Sequence, residues 1–254
     1  MRNFKLVLQY EGTRYQGWQR QESTDNTIQG KLERLLTKMC GYPVAVQGSG
    51  RTDAGVHALA QTANFHADTD MKPDEILEYM NRYLPEDIAV LSVEEVHERF
   101  HSRLHAKGKV YRYQVINSKV PSVFDRRYSY RLEDTLDVEA MRQAAKYLTG
   151  THDFKSFTSA KRGKKSTVRT ITAIEITKKG DMISLTYSGD GFLYHMVRIL
   201  TGTLIETGLG QRKPEDMERI LMAKDRERAG YLVPAEGLTL ISVQYEGENQ
   251  CKKG

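Results

Sequence analysis

Gly48-Ser49-Gly50-Arg51-Thr52-Asp53-Ala54-Gly55-Val56-His57-Ala58 is the stretch on which the fold reading turns. Its glycines allow positive φ or a close backbone approach. The run separates two strand-like segments, near 43–48 and 58–66, so it reads as a turn between neighbouring strands. Upstream, Phe4 to Tyr10 alternates as a strand. Asn26 or Thr27 caps a helix running to about Met39, with Ile28, Leu32, Leu35 and Leu36 on one face. Downstream, Lys72-Pro73-Asp74-Glu75 opens a helix over 73–83, since proline and acids suit a first turn, and a strand from Ile88 to about Val93 closes the half. This order is β-α-β-β-α-β. It recurs in a strand over Lys109 to Ile116, a helix over Asp137 to Leu148, strands near 168–177 and 182–188 joined at Lys179-Gly180-Asp181, a helix over 192–207, a shorter one after Pro214 and a strand from Leu238 to Tyr245. The reading is α+β: two ferredoxin-like halves, 1–104 and 105–254. Side by side they would form an extended mixed or antiparallel sheet with helices on one face and a central cleft.

Composition narrows the function classes. The 254 residues are 28% charged and 39% hydrophobic, as in a globular chain with a sizeable core. A net charge of +5 leans towards a polyanionic partner, a lean shared with many proteins that bind neutral ligands. Cys40 and Cys251 lie far apart, so a disulfide framework is not expected and a reducing cytoplasm fits. No signal-peptide core follows Met1, and no apolar run is long enough to span a bilayer, so no membrane is expected.

Asp53 stands on the glycine-rich turn two residues from Arg51, a cation that favours its ionised form. A single-carboxylate active site is one reading; an aspartate that hydrogen-bonds its own turn is the other. Lys161-Arg162-Gly163-Lys164-Lys165 is a basic loop suited to backbone phosphates or to solvent. Tyr111 and Tyr113 flank Arg112, and Tyr15 and Trp18 stand near Arg14 and Arg20. Aromatics beside cations suit single-stranded nucleic acid; tyrosines alternating along a strand also suit a core. Arg198, amid apolar neighbours, calls for a partner if buried, with Asp53 a candidate, or else snorkels to solvent.

Two patterns compete with Asp53. His97-Glu98-Arg99-Phe100-His101 matches H-E-x-x-H, which on a helix places two histidines for zinc. It is short, follows a strand and lies at the seam of the halves, so no metal is expected. Gly48-x-Gly50 fails as a dinucleotide fingerprint because Asp53 occupies the third glycine's place.

Tyr15 to Gln21, Gly50 to Ala58, Lys109 to Tyr113, Phe192 to Arg198 and Ala235 to Leu238 together resemble the tRNA pseudouridine synthase A family, in order and over nearly the whole chain. The resemblance implies isomerisation of uridine to pseudouridine at nucleotides 38, 39 and 40 of the tRNA anticodon stem-loop. The C1′–N1 bond breaks, the uracil turns and a C1′–C5 bond forms, with no cofactor. It implies Asp53 as the essential carboxylate, acting as nucleophile at C1′ or as base towards a sugar proton. Tyr111 would stack on the base, Arg198 would hold Asp53 ionised, and Leu238 and Arg51 would line the uridine site. Lys161, Arg162, Lys164 and Lys165 would meet tRNA, and the protein would be a homodimer. The target base must leave its stack, at a cost of roughly a few kcal/mol. The chain departs from the family pattern Ala-Gly-Pro-Thr-Ala-Pro at Ala229-Gly230-Tyr231-Leu232-Val233-Pro234, which puts the wall around Leu238 and the preferred tRNA positions in question.

Overall fold

The computed structural model describes residues 1–160 and 166–246. Two compact units divide the chain: Met1–Lys107 with the stretch from Leu240 onward, and Gly108–Thr239.

The first unit runs β1 (Arg2–Tyr10), α1 (Ile28–Cys40), β2 (Val46–Gly48), β3 (His57–Ala67), α2 (Pro73–Tyr83) and β4 (Ile88–Val96). Its strand order is β4-β1-β3, with β2 also on β3, all antiparallel. Phe4 pairs with Phe65 and Leu6 with Ala63, and the two phenyl rings stack 5.3 Å apart. The Thr27 hydroxyl accepts from the Gly30 amide and starts α1; Gly41, at φ 79°, ends it. Ile28, Leu32, Leu35 and Leu36 are its buried apolar face, while α2 buries Ile76 and Met80. The opposite sheet face is polar. Asn3 and Asn64 are fully buried there, and Asn64 Nδ2 donates to Asn3 Oδ1 at 3.1 Å. Buried amides without partners would be costly, so this network supports the fold only because it is closed.

The second unit contains β5 (Gly108–Asn117), β6 (Tyr130–Leu132), α3 (Val138–Leu148), β7 (Gly150–Asp153), β8 (Val168–Lys179), β9 (Met182–Gly189), α4 (Met196–Gly208) and α5 (Asp216–Ala223). Leu238 starts β10 (Leu238–Gln244). The order β5-β9-β8-β7 is antiparallel, and β6 lies parallel to β5, so the pairing is mixed. Asp137 caps α3 by accepting from the Glu139 and Ala140 amides. Helix α4 is buried almost all round, and its Thr201, Thr203 and Thr207 hydroxyls bond back to the carbonyls four residues earlier. With ten strands and five helices among the described residues, the class is α+β. None of those helices is long and apolar enough to cross a membrane.

The expected helix over 192–207 begins only at Met196. His195 sits in the left-handed region at φ 64°, which breaks the helical path and folds 192–195 into a turn. The short strands β6 and β7 carry no periodic pattern to reveal them; they are extended where they pair with the end of β5 (Val115 to Asn117) and with the start of β8.

Candidate active site

The turn carrying Asp53 leaves β2 and enters β3, and two sets of bonds hold it. From the strands, the Ser49 amide donates to the Thr62 carbonyl at 2.8 Å, and Gln61 Nε2 donates to the Gly50 carbonyl at 3.1 Å. The Ser49 hydroxyl donates to Gln61 Oε1, and Tyr10 and Thr52 share a hydroxyl–hydroxyl bond of 2.8 Å. Burial, partly offset by these hydrogen bonds, drives the Tyr10 phenol above its usual range and keeps it neutral.

The second set comes from residues 12–18. The Trp18 amide donates to the Thr52 carbonyl at 3.0 Å, the Gly55 amide to the Tyr15 carbonyl, and the Gly12 amide to His57 Nδ1 at 3.0 Å. Gly17 makes this approach possible. It sits at φ +89°, and a Cβ there would lie 2.7 Å from the Thr52 carbonyl oxygen and 3.1 Å from the Asp53 carbonyl carbon. The Val56 amide closes the turn onto the Asp53 carbonyl at 3.2 Å. Asp53 is half-buried between buried Thr52 and exposed Ala54, with Arg51 exposed beside it. The result is a carboxylate on a backbone clamped from two directions, which limits the reorganisation a reaction would have to drive.

Tyr15 and Trp18 are not a base-stacking surface. Both are buried: the Tyr15 hydroxyl donates to Asp87, and the Trp18 ring lies so close to Gly48 that a Cβ there would come within 2.5 Å. They form the underside of the Asp53 turn.

The remaining candidates lie in the second unit. Tyr111 on β5 pairs with Tyr187, is 8% exposed and meets Phe192 edge to face at 5.3 Å. The turn at 192–195 therefore places an aromatic edge against the Tyr111 ring. Tyr113 is fully buried and donates its hydroxyl to the Pro234 carbonyl at 2.7 Å. Burial, reinforced by Glu236, pushes its phenol far above the ordinary range. Arg198 Nε donates to the Val233 carbonyl at 2.8 Å. Gly237 lies against the Tyr113 ring, where a Cβ would come within 2.5 Å, and buried Leu238 follows it into β10.

Segment 229–234, where the family pattern is broken, is thus held through its own main chain. The Gly230 amide donates to Thr203 Oγ1, the Tyr231 amide to Glu206, and Gly202 leaves room for the Tyr231 carbonyl. Tyr231, Leu232 and Val233 can replace other side chains along a path that these main-chain contacts set.

The model of a family described as tRNA pseudouridine synthase matches residues 6–104 and 144–246. The chain belongs to the tRNA pseudouridine synthase family. Membership makes it an isomerase acting on tRNA. Curated relatives agree along the full length. The tRNA pseudouridine synthase A 2 of Bacillus cereus (strain ZK / E33L) is 45% identical over 96% of this chain and 100% of its own. The tRNA pseudouridine synthase A of Bacillus sp. (strain KSM-64) is 47% identical with the same coverage, and the tRNA pseudouridine synthase A 1 of Clostridium tetani is 48% identical. Among solved structures, a chain of a Cbf5-Nop10-Gar1 complex aligns with 84% of this chain and 44% of its own at 11% identity; its TM-score of 0.36 is too low to carry an argument.

Within this synthase fold the H-E-x-x-H segment has another job. Residues 97–101 form a turn, not a helix, so the two histidines do not share a helix face. Asn3 Nδ2 reaches the carbonyls of His97 and Phe100 at 3.0 and 2.9 Å, and Ser102 bonds Asn64 and Gln47. The segment is a strap over the polar face of the first unit's sheet, and His97 and His101 Nδ1 accept from backbone amides two residues on. Lys161, Arg162, Lys164 and Lys165 lie outside the described residues. The approach to them is anchored: Thr158 Oγ1 and the Ser159 amide both donate to the Tyr194 carbonyl, and the Phe154 amide donates to the Thr167 carbonyl. The bracing glycines at 12 and 17 escaped the sequence reading; the cluster Gly12-Thr13-Arg14-Tyr15-Gln16-Gly17-Trp18 was the available signal.

Proposed function

We propose that this synthase converts uridine to pseudouridine in the anticodon stem-loop of tRNA, at nucleotides 38, 39 and 40. Asp53 is the nucleophile at C1′ and Arg198 the cation that keeps it ionised. Tyr111 stacks on the extruded base and helps remove the C5 proton, with Arg51 and Leu238 beside the nucleotide. A carboxylate oxygen of Asp53 bonds to C1′ as the C1′–N1 bond breaks, the freed uracil turns, and C5 then displaces the carboxylate, so the ester bond breaks as the C1′–C5 bond forms. C5 loses a proton and N1 gains one, so the product is an isomer of the substrate and no cofactor is consumed. Lys161, Arg162, Lys164 and Lys165 hold tRNA phosphates, and the enzyme works as a cytoplasmic homodimer.

The observation that carries this reading is the clamped turn around Asp53. Thr52, Asp53 and Gly55 are each held by main-chain bonds, and Gly17 admits the second brace. A carboxylate that served only its own turn would not need a second segment to fix it.

The test is an unmodified tRNA transcript bearing uridine at 38, 39 and 40, with each replaced in turn by cytidine. Pseudouridine mapping is expected to lose one position with each replacement. Pseudouridine appearing only outside the anticodon stem-loop would overturn the assignment.

A further inference from the structure

The turn that places Phe192 against Tyr111 carries a second aromatic ring, to which the reaction as described gives no part. Tyr194 is 55% exposed. Its ring stacks on that of His195, with centroids 3.7 Å apart and planes at 27°. One face is thus covered, and the exposed surface is the other face and the edge. The turn also fixes this ring before anything touches it. His195 adopts φ 64°, a conformation that residues other than glycine seldom hold unless their surroundings impose it, and one that recurs at ligand clamps. The Tyr194 carbonyl accepts from Thr158 Oγ1 at 2.9 Å and from the Ser159 amide at 3.4 Å. The Met196 amide donates to the Leu193 carbonyl at 3.0 Å, and α4 starts directly behind. Arg169 lies along the same turn, its Nε 3.7 Å from the Cβ position of Gly191. A surface ordered before contact loses little entropy on docking.

We propose that Tyr194 stacks on the base adjacent to the target uridine. The inference rests on the reading of Tyr111 as the ring that meets the extruded uracil, and it adds a second ring for that uracil's neighbour. An open aromatic face flanked by a guanidinium is the surface on which unpaired bases stack. The spacing agrees. Phe192 touches the Tyr111 ring, and Tyr194 lies two residues further on, at most about 7 Å along the chain. Consecutive nucleotides rise roughly 3.4 Å along a strand, so the two rings are spaced for neighbouring bases. Extrusion of the uridine strips its neighbour of a stacking partner and leaves one face bare. Tyr194 covers that face, which offsets part of the cost of extrusion.

The experiment compares the wild type, Tyr194→Ala and Tyr194→Phe in single-turnover pseudouridine formation. The substrates are an unmodified tRNA transcript with uridine at 39 and the same transcript with an abasic nucleotide at 38 or at 40. On the intact transcript Tyr194→Ala should lower the rate constant divided by Kd about tenfold, and Tyr194→Phe should stay within about twofold of the wild type, since it keeps the ring. With the neighbouring base removed at one of the two positions, Tyr194→Ala and the wild type should differ by less than about twofold, because the ring has nothing left to stack on. A tenfold loss that persists on both abasic substrates would make Tyr194 a structural part of the turn and overturn the proposal. Wild-type efficiency of Tyr194→Ala on the intact transcript would overturn it too. Should an abasic site block the wild type, 2-aminopurine at 38 or 40 gives the second readout. Its fluorescence should be quenched on binding by the wild type and Tyr194→Phe but not by Tyr194→Ala; equal quenching by all three at both positions would refute the stack. A wild type that forms no pseudouridine at 39 would instead defeat the reading on which the proposal rests.

Discussion

Replacing Gly17 by alanine tests whether the position of the Asp53 turn matters to catalysis. The substitution acts twice. It forces a side chain into φ +89°, which costs about 1–2 kcal/mol for a residue other than glycine. It also drives a Cβ to 2.7 Å from the Thr52 carbonyl oxygen and 3.1 Å from the Asp53 carbonyl carbon. Both neighbours are backbone and cannot swing away, so the turn must shift by about 0.3–0.7 Å to restore ordinary contact. A misplacement of about 1 Å can cost about a hundredfold in rate, so kcat should fall roughly 10- to 100-fold while tRNA affinity holds. Gly41→Ala is the control. Gly41 adopts a similar φ of +79° with nothing within 4 Å of its Cβ position, so it bears the conformational cost without moving the turn. Single-turnover pseudouridine formation and tRNA binding should be measured on both variants. Full activity in Gly17→Ala, or an equal loss in Gly41→Ala, would refute the claim that the second brace sets the position of Asp53.

Three further perturbations probe other parts of the account. If Arg198 acts as proposed, as the cation that keeps Asp53 ionised, Arg198→Ala should lower turnover on the order of a hundredfold and weaken tRNA binding far less; equal losses in the two assays would contradict that role. Tyr113→Phe strands the Pro234 carbonyl, which the hydroxyl now meets at 2.7 Å, and should cost about 1–2 kcal/mol and lower Tm by about 3–6 °C; an unchanged Tm would mean the clasp on segment 229–234 lies elsewhere. The Asp153 carboxyl is held below its ordinary value first by the Thr167 hydroxyl and then by Lys224, 2.9 Å away. A depressed carboxylate contributes stability above its unfolded value of about 3.9 and loses that contribution as pH falls through its folded value. The Tm deficit of Asp153→Asn should therefore be complete at neutral pH and shrink below about pH 4; a deficit constant from neutral to acid pH would count against the bond.

Local chemistry was legible wherever one residue decides the outcome. Thr27, one of the two caps the sequence offers, starts α1, Pro73 opens α2, α3 falls within 137–148, and Gly180 turns β8 into β9 at φ 59°. What escaped depends on partners distant in the chain. The strands β6 and β7 are short and are extended where they pair with the end of β5 and the start of β8. Tyr15 and Trp18 stand among arginines in sequence, yet both are buried, Trp18 against Gly48 of β2 and Tyr10, and Tyr15 with its hydroxyl on Asp87. The histidine pattern at 97–101 has helical spacing but forms a strap, because Asn3, some ninety residues away, takes its carbonyls. Asp53 stood out from its glycine-rich setting. The brace that steadies it did not, since a glycine admitting another segment looks in sequence like any turn glycine.

The most direct measurement is pseudouridine mapping on unmodified tRNA with the wild-type chain and Asp53→Asn, alongside the dissociation constant of each for tRNA. The account predicts pseudouridine from the wild type, none from the variant, and tRNA affinities within about twofold of each other, since an amide of the same shape keeps the turn but cannot attack C1′. Pseudouridine formed by Asp53→Asn at an appreciable rate would show that the carboxylate is not the reacting group.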